Sequence, residues 1–387
     1  MERITFVIPS RNNLEFLKLA YKSIKGLHTQ HDILILDDAS TDGTKSWLTS
    51  LEDPNLSVFT NPGPERIGIV GMFDEGIAMA ETDIIMAFHA DMVVCPDFDT
   101  SILKHLKRGI VVSATRVEPP LHPKGPEKIT MGFGNEPEEF NMENWNVVSG
   151  GLKEDKTTEG IFAPWCMYKE DFLAIGGHDP LFAPQSKEDS DLFNRFVLNG
   201  YKVVQSWEAL VYHFTSRGSR FNKHAGGGAG VNSPEWVEQN TKSARNFIRK
   251  WGSFVSHDAL MKPIIPPKYD IGLILDGDFP EYPLLNILEP YFSNVYVSSP
   301  LREDYIKNEQ PNTIIDLSYK IKPYDNEKNN EIFVTVNGPN FTQQDFDYII
   351  NLPLIIKDSG EKGRFQLGNI EVEIIQMNEY QNTLIKI

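Results

Sequence analysis

The 387 residues carry 54 Asp and Glu against 37 Lys and Arg, a formal net charge of −17, with 40% hydrophobic and 24% charged residues. That composition describes an ordinary soluble chain long enough for two domains, and the charge argues against general affinity for a nucleic-acid backbone or an anionic lipid surface. Cys95 and Cys166 sit among apolar residues and suit reduced core thiols rather than a disulfide framework. No stretch approaches the roughly 18 apolar residues of a membrane helix. The opening Met1–Pro9 is too short and acidic for a signal peptide, so a cytoplasmic protein without membrane insertion is expected.

In chain order, Ile4–Ile8 predicts a strand and Pro9-Ser10-Arg11-Asn12-Asn13 a turn. Leu14, Leu17, Ala20, Tyr21 and Ile24 then follow a helical spacing. Asp32–Leu36 is a second strand closed by Asp37-Asp38, with Ser40 or Thr41 capping a helix that carries Trp47, Leu48 and Leu51. Leu56–Phe59 is a third strand, and Gly71–Ala80 a helix feeding the apolar run 83–88, which stops abruptly at His89-Ala90-Asp91. Repeated βα units predict a mainly parallel α/β sheet with right-handed crossovers.

Residues 115–160, rich in Pro, Gly, Asn and Glu, are expected to form an irregular excursion over the site. Order returns at Ile161–Tyr168, followed by a helix over Glu188–Leu198 and short strands at Tyr201–Gln205 and Ala209–Tyr212. The glycines of Arg217–Ser233 predict a lid, and Glu235–Lys250 a helix closing a first domain over residues 1–255. Pro263, Pro266 and Pro267 mark a stiff linker, 256–267. A smaller α/β domain, 268–387, restarts with strand Ile271–Leu275, helix Leu284–Phe292, strands Val295–Val297 and Ile332–Val336, and a terminal hairpin. It holds 10 Lys and Arg against 19 Asp and Glu, a net −9, so it is no polyanion binder.

Four stretches carry chemistry. Asp37-Asp38 ends a buried strand, where open α/β sheets place their ligands, and a carboxylate there accepts from a base N–H or a ribose hydroxyl. Ser40, Thr41 and Asp42 are more simply helix-capping residues. His89-x-Asp91 offers two metal-binding groups, although polar residues after a strand are usually turn chemistry. Lys187-Glu188-Asp189-Ser190-Asp191 opens an amphipathic helix, where acidic residues also suit the helix dipole. Val211-Tyr212-His213-Phe214-Thr215-Ser216-Arg217-Gly218-Ser219-Arg220 ends an apolar strand in a histidine, a residue more often packed in a core than bound to a ligand.

Together these stretches, over residues 3–250, resemble the inverting GT-A glycosyltransferases of glycosyltransferase family two. Val7-Ile8-Pro9-Ser10-Arg11-Asn12 is similar to the family's opening strand, and Leu36-Asp37-Asp38-Ala39-Ser40-Thr41-Asp42-Gly43-Thr44 to its nucleotide-binding signature. The resemblance implies a GT-A domain in which Asp38 holds the base, with Pro9, Ser10 and Arg11 in the same pocket. Arg66-Ile67-Gly68 and Asp74-Glu75-Gly76-Ile77 resemble the segment that packs on the nucleoside, Asp74 standing where the family usually has Asn. His89-Ala90-Asp91 takes the place of Asp-x-Asp: Asp91 is the implied metal ligand, while His89 and Ala90 face the nucleotide. His213 is implied as a second metal ligand.

The stretches around Trp165 and Gly177, with Glu188, resemble the region where donor sugar and acceptor meet. Asp189 is the implied general base, Asp191 its neighbour and competitor, and Ser216, Arg217, Ser219 and Arg220 a lid over the diphosphate. The implied activity is inverting transfer from a nucleotide-diphosphate sugar, expected to be a UDP-hexose, to a hydroxyl. Mn²⁺ or Mg²⁺ would offset charge on the leaving group, the imidazole favouring Mn²⁺. The acceptor stays open among a growing polysaccharide or other glycan, a lipid-linked sugar, a protein and a modified base in DNA, and the second domain is expected to select it or to form oligomers. Competing readings are a non-catalytic nucleotide-sugar binder and a sugar-nucleotide pyrophosphorylase, whose glycine-rich signature Ile8-Pro9-Ser10-Arg11-Asn12 lacks. A P-loop enzyme is excluded, because no Gly-x-x-x-x-Gly-Lys-Ser/Thr occurs.

Overall fold

The computed structural model describes residues 2–276 and 281–380. The chain divides into two compact units, 1–240 with 257–264 and 241–256 with 265–387.

The strands of the first unit are β1 (Ile4–Ser10), β2 (Asp32–Asp38), β3 (Leu56–Asn61), β4 (Ile84–Ala87), β5 (Met92–Val94), β6 (Ile110–Glu118), β7 (Ile129–Thr130), β8 (Thr157–Thr158), β9 (Trp165–Tyr168) and β10 (Lys202–His213). Its helices are α1 (Leu14–Lys25), α2 (Thr44–Thr49), α3 (Gly68–Met79), α4 (Phe98–Leu103), α5 (Met142–Leu152), α6 (Lys169–Ala174), α7 (Glu188–Leu198) and the start of α8 (Pro234–Trp251). The sheet runs β3-β2-β1-β4-β9-β6-β10-β5, with β7 beside β6 and β8 beside β10. The first four strands are mutually parallel, as are β6 and β10; β9, β8 and β5 are antiparallel to their neighbours. The expected mainly parallel α/β architecture is present.

Local sequence explains the elements that matter. β1 and β2 are near-continuous apolar runs buried along almost their whole length, as strands covered on both faces must be. α1 turns Leu17, Ala20 and Ile24 into the core and leaves Lys22 and Lys25 in its last turn, where cations favour the helix dipole.

Two expectations change. The excursion 115–160 is not uniformly irregular: β6 continues to Glu118, and α5 packs through Trp145, which is fully buried and donates from Nε1 to the Val94 carbonyl at 3.0 Å. The two short strands after α7 are one strand, β10, with a register shift between Ser206 and Leu210. Cys95 and Cys166 are free and buried. No helix among the described residues is long and apolar enough to cross a membrane.

The second unit has strands β11 (Ile271–Asp276), β12 (Asn294–Val297), β13 (Ile321–Pro323), β14 (Ile332–Asn337), β15 (Gly363–Leu367) and β16 (Ile370–Ile374) in the order β13-β12-β11-β14-β16-β15. Its helices after α8 are α9 (Glu281–Leu288), α10 (Ser299–Glu309), α11 (Leu317–Lys320) and α12 (Gln343–Ser359). The terminal hairpin is β15–β16.

The division runs through α8 rather than after it, and 257–264 joins the first unit instead of forming a linker. The charges of α8 explain its half of this. Arg249 forks onto the buried Glu289 (2.6 Å), Arg245 binds Glu309 (2.8 Å), and Lys320 closes on Glu289 from α11 (2.9 Å). Burial opposes the Glu289 charge, yet Lys320 and Arg249 hold its carboxyl well below the usual carboxylate range.

Candidate active site

The C-terminal ends of β1, β2 and β4 and the residues after β10 line one cleft of about 310 Å³ in the first unit. Sheet register brings the pieces together. β10 runs antiparallel to β5 with His213 opposite Met92, which sets His213 beside Asp91. On its other side β10 is parallel to β6 with Tyr212 opposite Val117, which brings Glu118 level with His213.

His89, Asp91 and His213 offer ligand atoms within 4.8 Å of one another. The Nε2 of His213 stands 3.7 Å from Oδ2 of Asp91, and its Nδ1 meets Glu118 Oε1 at 2.9 Å. Glu118 in turn accepts from Arg116 and from Lys128, each at 2.8 Å. Burial opposes this carboxylate's charge, but Arg116, His213 and Lys128 outweigh it and keep Glu118 ionised. An ionised Glu118 accepts from Nδ1 of His213 and turns its Nε2 toward Asp91, the carboxylate–histidine arrangement that orients metal ligands. Burial lowers the His89 pKa, against the carboxylates of Asp189 and Asp91, which favours its neutral form. Two imidazoles and one carboxylate fit a divalent ion that accepts nitrogen ligands, such as Mn²⁺.

On one wall of the cleft, Asp38 is 5% exposed and both its oxygens are engaged. Oδ1 accepts from Asn61 Nδ2 (2.7 Å) and Ile67 N–H (2.8 Å), and Oδ2 from Gly68 N–H (2.8 Å). The carboxylate therefore caps the start of α3 and keeps a lone pair on Oδ2. Arg11, Arg66, Gly68, Pro9 and Ser10 line the same wall. Arg66 binds Glu235 of α8 at 2.8 Å, with Arg11 3.9 Å from the same carboxylate. Ser10 Oγ, Arg11 Nε and Asn13 Nδ2 are buried and find no partner in the protein. Three unsatisfied polar groups on one turn mark where a polar ligand completes the structure.

The opposite wall is the start of α7. Asp189 is half-buried and lines the cleft with Glu188. Burial and the neighbouring Asp189 charge push the Glu188 carboxyl up to about 8, and its Oε2 has no partner in the protein. The residues after β10 are tied down: Asp91 Oδ2 accepts from Arg217 N–H at 2.6 Å and the Asp91 carbonyl from Phe214 N–H at 3.0 Å. Ala90, Ser216 and Ser219 line the cleft here.

Other expected site residues lie elsewhere. Asp74 accepts from His178 N–H (3.0 Å) and meets its Nδ1 at 2.7 Å, joining α3 to the segment before α7 instead of facing the nucleotide. Gly177 has φ +69°, and a Cβ there would come within 2.6 Å of Asp74, so it serves that tether. Trp165 is 1% exposed in β9 and stacks on Phe172 in the core. Asp191 is fully buried and binds Arg195 Nε at 2.8 Å, which removes it from competition with Asp189 for the cleft. Arg217 turns its guanidinium to the Asn135 carbonyl (2.5 Å) and Glu136 (3.3 Å), and Arg220 lies over Trp236 (4.6 Å) while bonding Asn232 (2.6 Å). Neither lid arginine lines the cleft; its guanidinium groups are those of Arg11 and Arg66. Asp42 takes the capping role, accepting from Thr44 and Leu14 N–H groups.

Sequence reasoning missed Glu118 with Arg116 and Lys128, Asn13, and Glu235 with Trp236. One signal was legible: Arg116 and Glu118 alternate on one face at the end of an otherwise apolar strand, where charges need a reason.

Comparison with known proteins finds matches to the first part of the chain. Residues 5–150 match the model of the family described as Glycosyl transferase family 2. An undecaprenyl-phosphate mannosyltransferase of Micrococcus luteus is 26% identical over 121 residues, covering 30% of this chain and 49% of the relative. A poly-beta-1,6-N-acetyl-D-glucosamine synthase of Staphylococcus aureus is 24% identical over 125 residues, covering 32% of this chain and 30% of the relative. The match thus spans at most about half the length of these relatives. Among solved structures, GalNAc-T7 with UDP, GalNAc and Mn²⁺ superposes with a TM-score of 0.47 at 14% identity, covering 65% of this chain and 48% of that one. A mannosyltransferase from Pyrobaculum calidifontis in complex with GDP-Man and Mn²⁺ gives 0.42 at 17% identity, covering 64% and 63%. The similarity to glycosyl transferase family 2 is thus carried by residues 5–150, which lie within the first unit.

Proposed function

We propose that the first unit transfers a sugar from a nucleotide-diphosphate donor, a UDP-hexose, to an acceptor hydroxyl with inversion. The reading rests chiefly on one observation: a candidate His₂Asp metal group, an ionisable carboxylate on the facing wall and several unpartnered buried polar atoms share one cleft.

Each wall has a part in the transfer. Asp38, through the spare lone pair on Oδ2, accepts the imide N–H of the base, while Ser10, Arg11 and Asn13 donate to its carbonyls or to the ribose. Arg66 exchanges its contact with Glu235 for one with the nucleotide. His89, Asp91 and His213 would hold a Mn²⁺ or Mg²⁺ ion, whose chemistry there would be to offset the negative charge developing on the leaving diphosphate. Asp189 takes the proton of the acceptor hydroxyl as that oxygen attacks the anomeric carbon from the face opposite the diphosphate. The C1–O bond to the nucleotide breaks as the new one forms, so the configuration inverts. Glu188 bonds a sugar hydroxyl beside it.

The test is nucleotide release from UDP- and GDP-sugars with and without Mn²⁺. The Asp189→Asn variant is expected to lose about 10²–10⁴-fold in turnover. Its nucleotide affinity in calorimetry should stay within about twofold, since the substituted group faces the acceptor. Undiminished turnover in that variant would remove Asp189 from the role of base.

A further inference from the structure

Asp189 is the second residue of α7, and the chain enters that helix through two consecutive left-handed residues, Ser186 (φ 77°) and Lys187 (φ 69°). A non-glycine side chain is disfavoured in this region, and two in succession persist only where surrounding structure imposes them. The same device follows the other wall of the cleft, at Thr215 (φ 77°) and Ser216 (φ 59°), two residues past His213.

What imposes the turn before α7 is visible. Ser186 Oγ donates to Oδ1 of Asn240 in α8 at 2.8 Å, and Gln239 Nε2 reaches the Ala183 carbonyl at 3.4 Å. From the other side, Pro184 rests on Gly68, so closely that a Cβ there would stand 2.3 Å from Pro184 Cβ. Residues 183–187 are thus clamped between the first residue of α3 and the early turns of α8. Glu235, one turn earlier in α8, holds Arg66 of the nucleotide wall. The start of α8 therefore grips both walls.

We propose that Asn240 is a positioning residue for the transfer: through Ser186 it holds the left-handed turn that aims Asp189 into the cleft. The proposal rests on the reading of Asp189 as the base. Asn240 does not line the cleft, whereas its partner Ser186 does. Its effect is geometric, and a displaced base loses rate without losing donor.

The test is steady-state kinetics on the full chain with Mn²⁺ and whichever UDP- or GDP-sugar releases nucleotide fastest. It is paired with amide hydrogen exchange over residues 184–190. Asn240→Ala and Ser186→Ala should each lower kcat on the order of 10–100-fold. Donor KM should stay within about twofold, exchange at the turn should rise, and the double variant should be no worse than either single one. Asn240→Asp keeps the accepting oxygen and should restore kcat, which a merely stabilising role would not require. Unchanged kcat and unchanged exchange in Asn240→Ala would overturn the proposal, as would an Asn240→Asp variant as impaired as Asn240→Ala. Full turnover in Asp189→Asn would instead count against the assignment of the base, leaving the exchange result to judge the clamp.

Discussion

In the first unit the strands run β3-β2-β1-β4 from one edge of the sheet, all parallel; in the second they run β13-β12-β11-β14, again all parallel. Open α/β sheets place ligands beyond the strand ends of such a winding, yet the two units treat buried polar groups in opposite ways. Every buried side-chain atom without a partner among the described residues belongs to the first unit, and Ser10, Arg11, Asn13 and Glu188 of that set line the cleft. The second unit buries Glu289 completely and surrounds it with Arg249, Lys320, Arg245 and the Tyr305 hydroxyl, so that its charge is answered from several sides. Topology sets where a ligand could sit. Unanswered polar groups show where one is needed.

The contrast can be broken from the second unit's side. Glu289→Ala leaves Arg249 and Lys320 buried without their counter-charge and should destabilise the second unit by about 3–5 kcal/mol, read by urea unfolding. Glu289 is also acid-sensitive in a defined direction. Its folded pKa lies below that of the unfolded chain despite burial, because Lys320 and Arg249 hold it ionised. Its stabilisation is therefore complete above about pH 4.3 and drains away as pH falls below that value. A Glu289→Gln variant should show a flatter decline between about pH 5 and 2.

A smaller effect is expected at Gly68, where α3 begins on the Asp38 wall of the cleft. With φ +88° and Pro184 against its missing side chain, Gly68→Ala should cost about 1–3 kcal/mol of stability and lower turnover as the segment bearing Asp189, the proposed base, shifts. Preserved turnover would separate the two walls. Smallest is Ser10→Ala. Its hydroxyl has no partner in the free protein, so stability should change by less than about 1 kcal/mol, while nucleotide affinity falls by about 0.5–1.5 kcal/mol in calorimetry. A large loss of stability with unchanged affinity would show that the hydroxyl is structural.

How much of this was legible depended on whether a residue acts in place or through a neighbour. The strands that end at Asp38 and His213, the one that stops shortly before Asp91, and a helix over Glu188–Leu198 follow from apolar runs and helical spacing in the local sequence. Asp191 could not be separated from Asp189 along the sequence, because its fate depends on Arg195, one turn later, with its other nitrogens on the Ile175 and Gly177 carbonyls. The lid arginines looked like cleft cations until Asn135, Glu136 and Asn232, distant in sequence or across the lid, supplied their partners. Glu118 was hidden for the opposite reason: its stretch read as irregular, although β6 carries it directly behind His213. The antiparallel β9 between β4 and β6 is a tertiary choice that a short apolar run cannot announce.

The account turns on a cation shared by His89, Asp91 and His213, and calorimetry of UDP and GDP binding with and without Mn²⁺ tests it most directly. The native chain should bind the preferred nucleotide at least about tenfold more tightly with Mn²⁺ than in EDTA, and Asp91→Ala and His213→Ala should each abolish that difference. Equal affinity with and without the ion in the native chain, or a Mn²⁺ effect that survives both substitutions, would contradict it.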